Sequence, residues 1–152
     1  MKNGLYLSHF AAIHSNLKTL KLLHKLKINF ELTDEEQQTA LFYAVKRFDL
    51  DIIKFLVEEA KVEINHKEYQ YRTPIYLAAF EGNLEIVEYL YSKGGDPNIE
   101  SKLSRTPLSK ACYLGNVKVA EYLIKLGVNM ESIDSKGRTA LHNAAWGIKG
   151  GR

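Results

Sequence analysis

The sequence predicts an all-α repeat protein whose unit is helix, turn, helix and loop, and three observations carry that expectation. A seven-residue motif occurs four times, as Thr39-Ala-Leu-Phe-Tyr-Ala-Val45, Thr73-Pro-Ile-Tyr-Leu-Ala-Ala79, Thr106-Pro-Leu-Ser-Lys-Ala-Cys112 and Thr139-Ala-Leu-His-Asn-Ala-Ala145, with starts 34, 33 and 33 residues apart. Within each unit a second, amphipathic stretch begins after Asn16, Asp49, Asn83 or Asn116. The composition, 45% hydrophobic and 26% charged over 152 residues, is that of a chain able to bury a core.

Each element follows from its residues. Thr73 and Thr106 suit a helix N-cap, and Pro74 and Pro107 then occupy the first helical position, where a missing N–H is harmless. Ala44, Ala78, Ala111 and Ala144 put a minimal side chain at one point of each first helix, so that two backbones can approach closely. Gly82-Asn83 and Gly115-Asn116 supply the turn between helices. The second helices show apolar residues at helical spacing, as in Leu84, Ile86, Val87 and Leu90, or Val117, Val119, Ala120 and Leu123, with Lys and Glu on the other face. Gly94 and Gly127 end them with a positive φ. One step back, Tyr6-Leu-Ser-His-Phe-Ala-Ala12 keeps the histidine and the alanine pair but not the threonine, which makes a degenerate first unit.

Thr-Pro-Ile/Leu at 73–75 and 106–108, Leu141-His142, the alanine pairs, Gly82-Asn83-Leu84 and Gly94-Gly-Asp-Pro-Asn98 together resemble the ankyrin repeat. The resemblance covers nearly the whole chain as a single domain, with units at 1–33, 34–67, 68–100, 101–133 and an incomplete 134–152. It implies an ankyrin-repeat solenoid: antiparallel helix pairs, each followed by a β-hairpin-like loop at roughly right angles, stacked into a curved array. Three departures stand out. Phe48-Asp49 replaces the expected Gly-Asn or Gly-His, and the loop from Ala60 to Asn65 is one residue longer, which leaves the second unit's hairpin the least defined. The tail from Trp146 to Arg152 carries no second helix, although a terminal helix pair needs a polar cap, so a longer array is expected. Gly150-Gly151 reads as a disordered end and lacks the pattern of a phosphate-binding loop.

Several function classes are disfavoured. A single cysteine, Cys112, allows no internal disulfide and suits a reducing compartment, cytoplasmic or nuclear. Residues 1–10 do not read as a secretory leader, and no run of about 18 apolar residues predicts a membrane span. A net charge of +3, from 21 basic and 18 acidic residues, is small for a dedicated nucleic-acid domain. His9 and His142 sit at the motif's histidine position and read as structural; His14, His24 and His66 lack zinc-type spacing. Cys112 falls at a small-residue position and reads as an inert core thiol. Asp34-Glu35-Glu36 and Glu58-Glu59 read as solvated charge runs. No catalytic residue, cofactor or metal is indicated, and the chain is not expected to be an enzyme.

The resemblance implies that partners dock on hairpin tips and the inner helix face, where two columns of residues run in register. Directly after the alanine pair come Ile13, Lys46, Phe80, Tyr113 and Trp146; directly before the threonine come Leu5, Gln38, Arg72, Arg105 and Arg138. In units three to five, one aromatic and one arginine per unit, with rungs about 8–10 Å apart, match every third residue of an extended chain, and these residue types are enriched in binding hot spots. The candidate site comprises Phe80, Tyr113, Trp146, Arg72, Arg105 and Arg138, extended by the tip residues Tyr69, Gln70, Lys102, Leu103 and Lys136. Its expected partner is another protein, as an extended segment with apolar and acidic residues, bound by a monomer. Three alternatives stay open. The arginines and aromatics serve packing only; they bind nucleic acid by phosphate contact and base stacking; or the repeats are the targeting part of a larger enzyme or channel.

Overall fold

A computed structural model describes residues 6–14 and 16–150, the side chains of 148–150 excepted. Among the described residues there are nine helices and no strand: α1 (Leu7–His14), α2 (Leu17–Lys25), α3 (Ala40–Lys46), α4 (Leu50–Glu58), α5 (Pro74–Glu81), α6 (Leu84–Ser92), α7 (Pro107–Leu114), α8 (Val117–Lys125) and α9 (Ala140–Gly150). The odd-numbered helices pack on one another as an inner layer, α2, α4, α6 and α8 form an outer one, and each pair is joined by its short turn. The result is an all-α repeat solenoid.

The motif residues act as their chemistry requires. Thr73 Oγ1 accepts from the Tyr76 amide at 3.3 Å and Thr106 Oγ1 from that of Ser109 at 3.1 Å, each with a proline at the first helical position. Asn16, Asp49 and Asn83 cap α2, α4 and α6, each with a side-chain oxygen 3.1 Å from an amide one turn on. Asn116 does something else: its Nδ2 donates to the carbonyls of Ala79 and Phe80, at 2.9 and 3.0 Å. It thereby satisfies the orphaned C-terminal carbonyls of α5 from the next unit. Arg47 does the same for Ala12 and Ile13 at the end of α1.

Ala11, Ala44, Ala78 and Ala111 are buried where the first helices meet, and Leu41, Ile53, Leu56, Ile75, Ile86, Leu90, Leu108 and Leu123 fill one core between the layers. Burying each large aliphatic side chain contributes about 1.5–3 kcal/mol. Across the outer layer, Lys21 pairs with Glu59 at 3.0 Å and Lys93 with Glu58 at 2.8 Å. Both pairs are solvent-exposed, as expected for Glu58-Glu59, and contribute little.

The departures resolve physically. Gly82 and Gly115 take φ 74 and 73 at the ends of α5 and α7; Phe48 takes the same left-handed conformation, φ 58, without being glycine. The extra residue of the 60–65 loop displaces the left-handed position to Lys61 and leaves the hairpin that follows intact.

The tail differs from the expected disordered end: α9 continues through it to Gly150. In units three and four the left-handed glycine stands nine residues after the threonine. In unit five Ile148 holds that place, and Gly147 lies within the helix instead. A Cβ at Gly147 would collide with the Tyr113 carbonyl, so the missing side chain is what lets α9 lie against α7. Gly151 lies outside the described residues. No helix follows α9 among the described residues, and Leu141 is 79% exposed where Leu41, Ile75 and Leu108 are fully buried.

Candidate functional site

Four hairpins, at 34–38, 68–72, 101–105 and 134–138, share one bond pattern. The first residue's N–H donates to the fifth carbonyl at 2.9–3.1 Å, and the fourth N–H donates back to the first carbonyl. This is a turn closed by one left-handed residue, here Gln37, Tyr71, Ser104 and Gly137 with φ 59, 63, 50 and 70. Hairpin geometry is present without an assigned strand. Successive tips are tied by backbone bonds: Tyr69 to Glu36 at 2.9 Å, Lys102 to Gln70 at 2.8 Å and Ser135 to Leu103 at 3.0 Å.

The first residue of each hairpin holds it closed. Asp34 Oδ1 accepts from the amides of Glu36 and Gln38, Glu68 Oε1 from Gln70 and Arg72, and Asp134 Oδ1 from Lys136 and Arg138, all at 2.8–3.0 Å. Asp34 is therefore a structural acceptor and not part of a solvated charge run. The arginine column joins this machinery. Arg72 donates to Glu68 through Nε and Nη2 at 3.0 and 3.1 Å, and Arg138 to Asp134 at 3.0 and 2.8 Å. Both carboxylates are buried. Burial alone would push the Asp134 carboxyl up; the Arg138 side chain, then the Arg138 and Lys136 amides, outweigh it and hold the group well below the usual carboxylate range. Two of the three arginines are thus hairpin clamps with neutralised charge. In the fourth unit Ser101 stands where the others have an acid, so Arg105 has no clamp partner and reaches Asp134 only at 3.8 Å.

Between the tips of units three and four lies a hollow of about 300 Å³, lined by Tyr69, Gln70, Arg72, Tyr76, Phe80, Ser101, Leu103, Arg105 and Lys110. It brings together six of the eleven sequence-predicted residues. Lys102 caps its outer edge, with Nζ 5.3 and 5.0 Å from the ring centres of Tyr69 and Tyr71. Tyr113 approaches through Lys110, whose Nζ lies 4.9 Å from the Phe80 centroid and 5.0 Å from that of Tyr113. Lys136, Arg138 and Trp146 stand apart on unit five, Lys136 and Trp146 exposed and Arg138 half-buried. In the columns, Lys46 bonds Gln38 Oε1 at 2.7 Å, whereas Leu5 lies outside the described residues.

Sequence reasoning missed Lys110, Tyr76 and Ser101. The signal for Lys110 was present: it occupies the register held by Phe10, Tyr43 and Leu77 in the first three units, and Leu77 is buried. Burial, then the cations of Arg105 and Arg72, lower the Lys110 ammonium below its usual value.

The remaining side chains offer little chemistry. His9 is buried; its Nδ1 accepts from the Tyr6 amide at 2.9 Å at the start of α1 and its Nε2 donates to the Gln38 carbonyl at 2.9 Å, which ties α1 to the next hairpin. His142 Nδ1 accepts from the Thr139 amide at 3.2 Å. Cys112 is half-buried rather than core, because no helix covers that face of α7 and α8 among the described residues; burial still pushes its thiol up. Among the described residues no three metal-ligating side chains come together, and no helix is long and apolar enough to cross a membrane.

The sequence matches the family model described as ankyrin repeats (3 copies) over residues 8–101 and 76–150. It is 38% identical over 58 residues to alpha-latrocrustotoxin-Lt1a of Latrodectus tredecimguttatus, covering 38% of this chain and 4% of that protein. It is 30% identical over 96 residues to mouse inversin, covering 60% and 9% of the two proteins. With the NF-kappa-B p105 subunit of Gallus gallus it shares 26% identity over 99 residues, 64% of this chain and 10% of the relative. The chain therefore spans a small fraction of each of these relatives. With the family model covering most of its length and the motif residues capping, turning and packing as repeats, the chain belongs to the ankyrin-repeat family.

Proposed function

We propose that the chain is a non-catalytic protein-binding module, a single array of units at 1–33, 34–67, 68–100, 101–133 and 134–152, that docks an extended segment of another protein across its hairpin tips and inner helix face. Ankyrin repeats are in general protein-interaction modules, and the hollow between units three and four supports this use here. One observation carries the reading: exposed Tyr69 and Leu103, half-buried Phe80 and the cations Arg105 and Lys110 converge on one open concavity whose residues come from two units. Folding alone does not require an aromatic and cationic lining there. Aromatic rings offer roughly 150–250 Å² each for burial, and a segment carrying apolar and acidic residues is complementary to that lining.

The relatives carry their matched regions as small parts of longer proteins, which is consistent with a targeting role within a larger assembly. The test is a Phe80→Ala, Tyr113→Ala, Trp146→Ala triple variant, checked for folding by circular dichroism and probed with peptides selected on the wild-type chain. Loss of most of the affinity is expected. Unchanged binding by the folded variant would remove the aromatic column from the site. Salt separates the nucleic-acid alternative, since phosphate contacts weaken log-linearly and steeply with ionic strength.

A further inference from the structure

The half-buried Lys110 holds its ammonium against the rings of Phe80 and Tyr113, with no anion beside it among the described residues. Units one, two, three and five place Phe10, Tyr43, Leu77 and Asn143 at its register, all uncharged, and the aliphatic Leu77 there packs into the solenoid without desolvating a charge. Among the described residues Lys110 makes no ion pair; its charged neighbours are Arg105 and Arg72, both cations. Arg72 is engaged by Glu68, and Asp134, the only acid Arg105 reaches among the described residues, is already held by Arg138 and two backbone amides. The hollow thus holds three cations, of which Glu68 engages Arg72 and Asp134 approaches Arg105 only to 3.8 Å, with Phe80 and Tyr113 fixing where the ammonium sits.

We propose that this hollow is a carboxylate socket, in which Lys110 Nζ and the Arg105 guanidinium bind one Asp or Glu side chain of the docked segment while its apolar neighbour lies against Tyr69 and Leu103. The acid is read by Lys110 and Arg105, not by the arginine column as a whole. A nucleic acid fits worse: Lys110 already occupies the faces of Phe80 and Tyr113 on which a base would stack, and Arg72 and Arg138 are neutralised within their hairpins. The proposal rests on the docking reading above and specifies its chemistry.

The test uses the full chain and a phage-displayed library of random peptides, selected in parallel on wild type and on Lys110→Leu, which restores the residue of unit three at that register. Wild type is expected to enrich peptides with an Asp or Glu next to an apolar residue, and Lys110→Leu to enrich apolar peptides without that acid. Changing the selected acid to its amide weakens wild-type binding by about tenfold or more and leaves binding to Lys110→Leu nearly unchanged. The variant is expected to be at least as stable to urea as wild type, which separates a binding residue from a structural one. Enriched peptides with no preferred acid, or equal wild-type affinity for acid and amide, would overturn the socket while leaving the docking reading intact. If no peptide is enriched, the docking reading fails and the socket with it; if the triple aromatic variant binds the selected peptides equally well, the aromatic column leaves the site and the socket, whose ammonium Phe80 and Tyr113 position, falls with it. Tighter binding of oligodeoxythymidine than of any selected peptide, lost in Lys110→Leu, would reassign the cations to phosphate.

Discussion

Truncating one motif leucine in two different units isolates what stacking contributes. Leu108 in α7 is fully buried between the layers, and Leu141 in α9, two motif residues on from its threonine just as Leu108 is from Thr106, is 79% exposed. Leu108→Ala removes buried methyl and methylene groups from a core closed on both sides and leaves a cavity, a loss of about 2–5 kcal/mol. At Leu141 about a fifth of the surface leaves water, so the same truncation removes only about 0.3–0.6 kcal/mol of a burial term of about 1.5–3 kcal/mol. The slightly better helix propensity of alanine offsets part of that. Urea titrations followed by far-ultraviolet circular dichroism measure both variants against wild type, and the unfolding slope shows whether the array still unfolds as one unit. The expected ratio is at least about threefold in favour of Leu108. Equal losses, or a loss below about 1 kcal/mol at Leu108, would show that α9 is covered in solution or that units three and four are not one cooperative core.

Two further outcomes concern the loops. Lys61 is exposed and held at φ 57, while Gly94 and Gly127 serve the matching turns, so Lys61→Gly should raise the urea midpoint by an amount equivalent to about 0.5–1 kcal/mol; a lower midpoint would show that the Lys61 side chain makes a stabilising contact. The Asp134 carboxyl is held below its unfolded value, so its contribution is complete above the unfolded carboxylate range near 4 and fades as pH falls toward the lower folded value. Asp134→Asn should therefore lose about 1–3 kcal/mol at neutral pH and show a shallower loss between pH 5 and 3 than wild type; identical acid limbs in urea titrations would contradict the clamp.

The helices were legible because their signals are local and redundant: a capping threonine, a proline or alanine, a small residue and a second capping side chain recur at fixed distances in each unit. Phe48 shows where this stops. Its left-handed conformation is imposed by the packing of α3 and α4 on either side, against its own preference, and only its place in the repeat register hinted at it. The extent of α9 was missed because the alternating pattern predicts a turn at 148, whereas Gly147 allows close packing on α7 and the helix runs on. In the candidate site, register alone picked out Tyr69, Gln70, Leu103 and Phe80, which line the hollow, but not the role of the arginines. A residue-type column cannot distinguish an arginine that faces a partner from one that clamps its own hairpin. The acid four residues earlier in units three and five, and its absence in unit four, carried that distinction.

That contrast bears on how function is read from a repeat array. Positions that recur in every unit are explained by folding, because each unit must solve the same packing and hydrogen-bonding problem. Arg72 and Arg138 recur together with their acids and are accounted for in full by the hairpins they close. Ser101 and Lys110 break the recurrence in the same unit and in the same direction. The first withdraws the clamp carboxylate and leaves Arg105 its 3.8 Å approach to Asp134; the second places an ammonium where units two, three and five have the uncharged Tyr43, Leu77 and Asn143. Together the two leave an excess of positive charge on one concavity. Two departures in one unit that converge on one concavity are the ground for the proposed carboxylate socket, and the peptide selection on wild type and Lys110→Leu decides whether they serve an anion.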